Sequence, residues 1–363
     1  MTERVNLGAL TALRGIAAWY VVLYHVRISS ADLFPASVTA MFSKGYLAVD
    51  FFFLLSGFVI WLSYRDRLSE NGVAAIPQFL ARRFARIYPL HFVILCGALV
   101  FALMHIALDR AAPEAFPMQE LPLHFLLVQN WGFTDTLSWN APAWSISTEM
   151  AAYLVFPIIA LGTDWRAVST PILLALIASL ALALHAFFVT MDAPYLDTNI
   201  PQTGLIRCLL QFTMGTLLCA LWLRWRENAG RMAVIAVTGT LLGGSLALTG
   251  TVPETLAVPL TLAGLLLAAA LTAELRHNPL SSKPLIYLGE ISYATYLCHF
   301  LMFDAFKIAI VDDSGHISAL MLAGFLALTL IASMILYHLI ERPAQRALND
   351  RFDQLLKRKT QPA

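Results

Sequence analysis

Charge is what this 363-residue chain has least of: Asp, Glu, Lys and Arg together make up 13% of it, and no segment is polar for long enough to fold as a soluble domain. The charges that are present nearly cancel, leaving +1, so there is no reason to expect a nucleic-acid partner. Cysteine is also scarce. Cys96, Cys208, Cys219 and Cys298 sit in apolar stretches without metal-ligand spacing. Neither a disulfide framework nor a metal centre is expected, and all four read as small packing residues. No internal repeat is visible, which argues against transporter folds built from repeated halves.

What the chain does have is apolar length. Hydrophobic residues account for 59% of it, and the mean hydropathy is +0.70, more than a water-facing globule needs. Runs of about twenty apolar residues, enough to cross a hydrocarbon core, predict an all-α polytopic membrane protein with ten spans at 7–26, 46–64, 88–108, 140–161, 170–190, 205–223, 232–249, 255–274, 285–311 and 317–340. The shorter apolar piece 121–131 reads as a re-entrant or interfacial segment.

Basic residues supply an independent check. With the N-terminus inside, 18 of the 24 lysines and arginines fall on the cytoplasmic side, including Arg4, Arg276 and the tail from Arg342 onward; Arg27, Lys44 and Arg110 fall outside. That bias predicts two cytoplasmic termini, which requires an even number of spans. The first span reads as an anchor rather than a cleaved signal, because no small-residue cleavage site follows it. The expected organisation is a membrane domain over 1–343 and a basic cytoplasmic tail over 344–363, with no soluble extracellular domain. The longest external connection, 109–139, carries Pro113, Pro117 and Pro122, and connections of that length are usually functional or disordered.

Within this frame the ionisable residues acquire depth. Arg14 and His25 lie eleven residues apart in the first span, on one face of a helix, with a rise of roughly 16 Å between them. The topology puts Arg14 in the inner half, with His25, Asp50 and Glu149 at similar depth toward the outside. Arg83 and Arg86, three apart, face the same way near the cytoplasm. A hydroxyl nucleophile at neutral pH needs a positioned base, and an imidazole oriented by a carboxylate supplies one. Paired guanidinium groups suit phosphates. Together these suggest a phosphate-bearing donor arriving from the cytoplasm and an acceptor waiting across the membrane.

The residues also carry a resemblance. The run 10–25, in which Arg14 is followed after ten residues by His25, resembles the opening of the acyltransferase-3 family of integral membrane O-acyltransferases. Further blocks follow in order: Gly45 to Gly57, Arg83-Phe-Ala-Arg86, Trp144-Ser-Ile-Ser-Thr-Glu149, Ile291 to His299, and Glu341-Arg-Pro343. The resemblance implies ten spans in the cell membrane, acetyl-CoA or another acyl-CoA as donor substrate with no permanently bound cofactor, and transfer to a hydroxyl of an envelope glycan or a glycosylated small molecule. Some members carry an additional extracellular domain with its own catalytic serine. A relay of that kind would need a separate partner here.

On this reading His25 is the base and Glu149 orients it; Arg14, Arg83 and Arg86 hold the donor; Asp50, Trp144, Tyr293 and His299 line the site. A covalent acyl-histidine is the mechanistic alternative. Each residue also has a structural reading: a capped His25, an Arg14 snorkelling to the headgroups, Arg83 and Arg86 as positive-inside anchors, an Asp50 that caps its helix, and packing roles for Trp144 and Tyr293. A rival from another class is a proton-coupled transporter or flippase, for which buried Arg, His and Glu are equally expected.

Overall fold

The structure is a computed structural model that describes residues 7–107, 115–275, 278–311 and 315–360, with side chains as far as Leu355. Among the described residues there is no strand, and seven helical stretches are long and apolar enough to cross a membrane: Gly8–Val26, Ala36–Ala107, Ala141–Gly162, Thr170–Thr190, Ile200–Leu248, Glu254–Thr272 and Ala319–Leu355. This is an all-helical, multi-pass membrane protein.

The principal helices are α1 (Gly8–Val26), α2 (Ala48–Asn71), α3 (Ile76–Ala107), α4 (Trp144–Gly162), α5 (Thr170–Thr190), α6 (Ile200–Trp225), α7 (Ala229–Leu248), α8 (Glu254–Thr272), α9 (Lys283–Glu290), α10 (Ser292–Ile310), α11 (Ala319–Leu336) and α12 (Arg342–Thr360). Arg4, Asp109, Arg110, Pro113 and Arg276, used in the sequence reading, lie outside the described residues.

Three elements differ from the expected layout. Helix α3 begins at Ile76 rather than near Tyr88, so Arg82, Arg83 and Arg86 project from the same rigid helix as the apolar residues that follow. The expected ninth span is divided at Ile291 into α9 and α10. Near this break the Gly289 carbonyl accepts hydrogen bonds from Arg14 Nε at 3.0 Å and Nη2 at 2.5 Å. The segment after Ile340, expected only as a basic tail, forms helix α12. Ala344, Leu348 and Phe352, four residues apart, are half-buried on one face. Asp353 on that face accepts from Arg82 at 2.7 Å and from Gln78 at 3.3 Å, which ties α12 to α3.

The chain folds as two compact units. The first contains residues 7–17, 46–70 and 155–290. Here α1 and α9 cross at glycines: a Cβ on Gly289 would stand 1.8 Å from the Thr11 carbonyl oxygen, so only glycine permits the approach that brings Arg14 to its acceptor. Helices α2 and α6 meet in the same way. A Cβ on Gly57 would stand 1.9 Å from the Phe212 carbonyl oxygen, and one on Gly215 would stand 2.0 Å from that of Leu54. Beside this contact Asp50 and Arg207, 0% and 1% exposed, form a two-pronged ion pair at 2.8 and 2.6 Å. Gln211 adds a third donor to the carboxylate at 2.5 Å, and Arg207 Nη1 donates to the Leu196 carbonyl at 2.7 Å.

The second unit contains residues 18–45, 71–154 and 291–360. Val22 and Val26 pack with Phe303, Phe306, Ile317, Leu322 and Phe325, which sets the end of α1 against α10 and α11. The described part of the connection between α3 and α4 is packed as well. Trp139, 2% exposed, rests on Leu95, Ala98, Ala102 and Phe116, and its indole N–H donates to the Pro117 carbonyl at 3.1 Å. The piece expected to be re-entrant or interfacial contains a short helix, Leu121–Leu126, ended by a left-handed Leu127 at φ 57°.

Removing one member of a fully buried charge pair leaves the other uncompensated, at about 3–5 kcal/mol. Asp50→Ala and Arg207→Ala should each lower the unfolding midpoint of the detergent-solubilised protein sharply. The double variant Asp50→Leu/Arg207→Met should lose less than the two single losses added together; additive losses would show that the pair is not coupled.

Candidate functional site

The polar residues of the second unit gather into two groups. The first is an imidazole pair. Val22 and Val26 flank His25 on α1, and Phe303 and Phe306 lie on α10 beyond His299, so the packing of these apolar residues brings the two rings together. His25 Nδ1 is 3.0 Å from His299 Nε2 and 3.0 Å from the Val21 carbonyl oxygen. His299, 0% exposed, has its Nδ1 3.1 Å from the Thr295 carbonyl oxygen. His25 is half-buried, edged by Tyr24 and Phe300 at ring separations of 5.0 and 5.1 Å.

The second group surrounds the α3 arginines. The Arg86 guanidinium forms an ion pair through Nη1 with the buried carboxylate of Glu341, and it lies over the Tyr293 ring at 5.4 Å. Tyr293 in turn donates its hydroxyl to the Ile87 carbonyl at 2.7 Å. Arg83 lies over the Tyr153 ring at 5.8 Å, and the Tyr153 hydroxyl donates to Glu149 Oε1 at 2.6 Å. The rings present their negative faces to the guanidinium groups. Cations, aromatic faces and carboxylates thus form a half-buried cluster built from α3, α4, α10 and the turn that precedes α12. That turn, Tyr337–Glu341, is π-helical and delivers Glu341 to Arg86.

Between these groups in sequence lies the Trp144–Glu149 block, held rigidly. Trp144 is buried at the start of α4. Ser145 Oγ and the Tyr296 hydroxyl are 2.8 Å apart, and both also bond the Pro142 carbonyl at 3.0 Å. Asn140 donates to the Leu297 carbonyl at 2.8 Å, and the Trp131 indole donates to the Ser147 carbonyl at 2.9 Å. The block is therefore tied to the same turn of α10 that carries His299.

The structure brings His25, His299, Arg83, Arg86, Glu149, Trp144 and Tyr293 into one unit. Arg14 and Asp50 belong to the other, where Arg14 holds the Gly289 carbonyl and Asp50 holds Arg207. The sequence reading makes Glu149 the group that orients His25; the partners of His25 Nδ1 are the Val21 carbonyl oxygen and His299 Nε2, while Glu149 accepts from Tyr153. Sequence reasoning missed two members of the arginine cluster. Tyr153 stands four residues after Glu149, the spacing at which helical side chains meet. Glu341 ends an apolar span with a carboxylate, which needs a cation nearby.

Comparison with known proteins gives the family. The acyltransferase-3 family profile, described as an acyltransferase domain, matches residues 7–338. The chain is 30% identical to the acyltransferase MdmB of Streptomyces mycarofaciens over 96% of its own length and 94% of that protein. It is 28% identical to the exopolysaccharide production protein ExoZ of Rhizobium meliloti, covering 84% of this chain and 91% of ExoZ. It is 24% identical to the peptidoglycan O-acetyltransferase OatA of Listeria monocytogenes, covering 82% of this chain and 49% of OatA. No solved structure matches significantly.

Tyr153→Phe removes a hydrogen bond to a carboxylate and should destabilise the protein by about 1–3 kcal/mol. Glu149→Gln keeps an acceptor and should lose less. Unfolding midpoints in detergent measure both, and equal losses would contradict the assigned bond. With the family match spanning most of its length, the chain belongs to the acyltransferase-3 family and is an acyltransferase.

Proposed function

We propose that this protein is a membrane O-acyltransferase of the cell membrane that moves an acyl group, most simply acetyl, from cytoplasmic acyl-CoA to a hydroxyl of an envelope glycan or a glycosylated small molecule. The observation that carries the reading is the presence, in one folded unit, of a half-buried imidazole held at Nδ1 and a guanidinium pair stacked on tyrosines. Two of the relatives, the peptidoglycan O-acetyltransferase and the exopolysaccharide production protein, bear names that refer to glycans. Ten spans with both termini cytoplasmic remain part of the proposal. Its support is that Ala36–Ala107 and Ile200–Leu248 each contain two long helices, that α10 adds another of 19 residues, and that this orientation gives the cytoplasmic side 18 of the 24 lysines and arginines.

In this reading Arg83 and Arg86 hold the donor's phosphates. A guanidinium has five N–H donors, and the Glu341 contact engages Arg86 through Nη1. Glu149, through Tyr153, keeps an aromatic face beneath Arg83. His25 Nε2 takes the proton from the acceptor hydroxyl as its oxygen attacks the thioester carbonyl; the C–S bond breaks, and the departing thiolate collects that proton from His25. A transporter reading finds no support in the family match, since such a protein would leave the thioester intact.

Purified protein in nanodiscs, given radiolabelled acetyl-CoA and a carbohydrate acceptor, tests the assignment. His25→Ala should abolish transfer while the protein stays folded. Arg83→Ala should chiefly raise the donor KM, by about tenfold or more for a lost charge-assisted contact. Transfer retained in the histidine variant would refute the base.

A further inference from the structure

Acid–base use of His25 requires its Nε2 to carry the lone pair, and the structure contains a device that arranges this. Resting on the reading above, we propose that His299 is a positioning residue that fixes His25 as the Nδ1–H tautomer and leaves Nε2 as the basic nitrogen.

The assignment follows from hydrogen-bond accounting. A carbonyl oxygen only accepts, so the Thr295 carbonyl, 3.1 Å from His299 Nδ1, requires a proton on that nitrogen. Neutral His299 is then bare at Nε2. His25 Nδ1 lies 3.0 Å from this bare nitrogen and 3.0 Å from the Val21 carbonyl oxygen. Both neighbours are acceptors, and only an N–H on His25 Nδ1 satisfies them. The lone pair of His25 is thereby assigned to Nε2.

Two features make the arrangement durable. Each anchoring carbonyl lies four residues before its histidine, so it is fixed by the helix that carries the ring. His299 is 0% exposed and its helix turn is braced by Tyr296 and Asn140, so the acceptor cannot swing away or be replaced by bulk water. When Nε2 takes the hydroxyl proton, the Nδ1–H of the imidazolium keeps the same acceptors. No hydrogen bond is broken as charge develops. A neutral imidazole here does the orienting work that carboxylates do in other acid–base pairs.

The test uses the full chain in nanodiscs. His299→Leu removes the acceptor and should lower kcat by about tenfold or more at unchanged donor KM. His299→Gln offers an amide oxygen to His25 Nδ1 and should recover most of the rate. A leucine variant with wild-type kcat, or a glutamine variant as slow as the leucine one, would overturn the proposal. Histidine 15N spectra give a readout independent of activity, with the His25 signals identified by their loss in His25→Asn. The wild type should show His25 as the Nδ1–H tautomer, and His299→Leu should populate both forms. A wild-type His25 protonated at Nε2 would overturn the proposal even with normal transfer. An active His25→Ala would instead refute the base assignment and leave the tautomer to be judged on its spectrum.

Discussion

A polar side chain within hydrocarbon must find its partner inside the protein, and that constraint orders this structure. Asp50 has Arg207 and Gln211, Arg14 has a backbone carbonyl, Arg86 has Glu341, and His25 has His299. These pairings are of two kinds. In the first unit Asp50 and Arg207 are both fully buried and satisfy one another, so they hold helices together. In the second unit His25, Arg83, Arg86, Glu149 and Tyr293 are only half-buried, and those side chains retain surface for chemistry.

Glycine makes the partnerships possible. The crossings at Gly289 and at Gly57 with Gly215 bring backbones closer than any side chain allows, the first at the part-buried Arg14 contact and the second on the helices that carry the buried Asp50–Arg207 pair. Without a hydrophobic force between helices in lipid, such close packing and the interhelical hydrogen bonds it permits are what fix helix positions. The Arg14 contact with the Gly289 carbonyl lies at the end of α9, and α10, the helix that carries Tyr293, Tyr296 and His299, starts afresh at Ser292.

Much of this was legible in the amino-acid order. Apolar length gives the helices closely: α5 coincides with the run 170–190, and α1 differs from 7–26 by one residue. The residues of the site stand out because ionisable groups are rare in such runs. Their partners were less visible, since pairing depends on which helices become neighbours. Nothing local to Asp50 points to Arg207, more than 150 positions away, and nothing local to His25 points to His299 rather than to Glu149. The helical tail was readable from the four-residue spacing of Ala344, Leu348 and Phe352, which its basic charge obscures.

The central claim is that the α3 arginines and the His25–His299 pair are two ends of one donor site. The most direct measurement is the structure of the protein with a CoA thioether that cannot be cleaved. The account predicts the phosphates against Arg83 and Arg86 and the sulfur end beside His25 Nε2. A nucleotide bound away from those guanidinium groups, or a sulfur out of reach of His25, would contradict it.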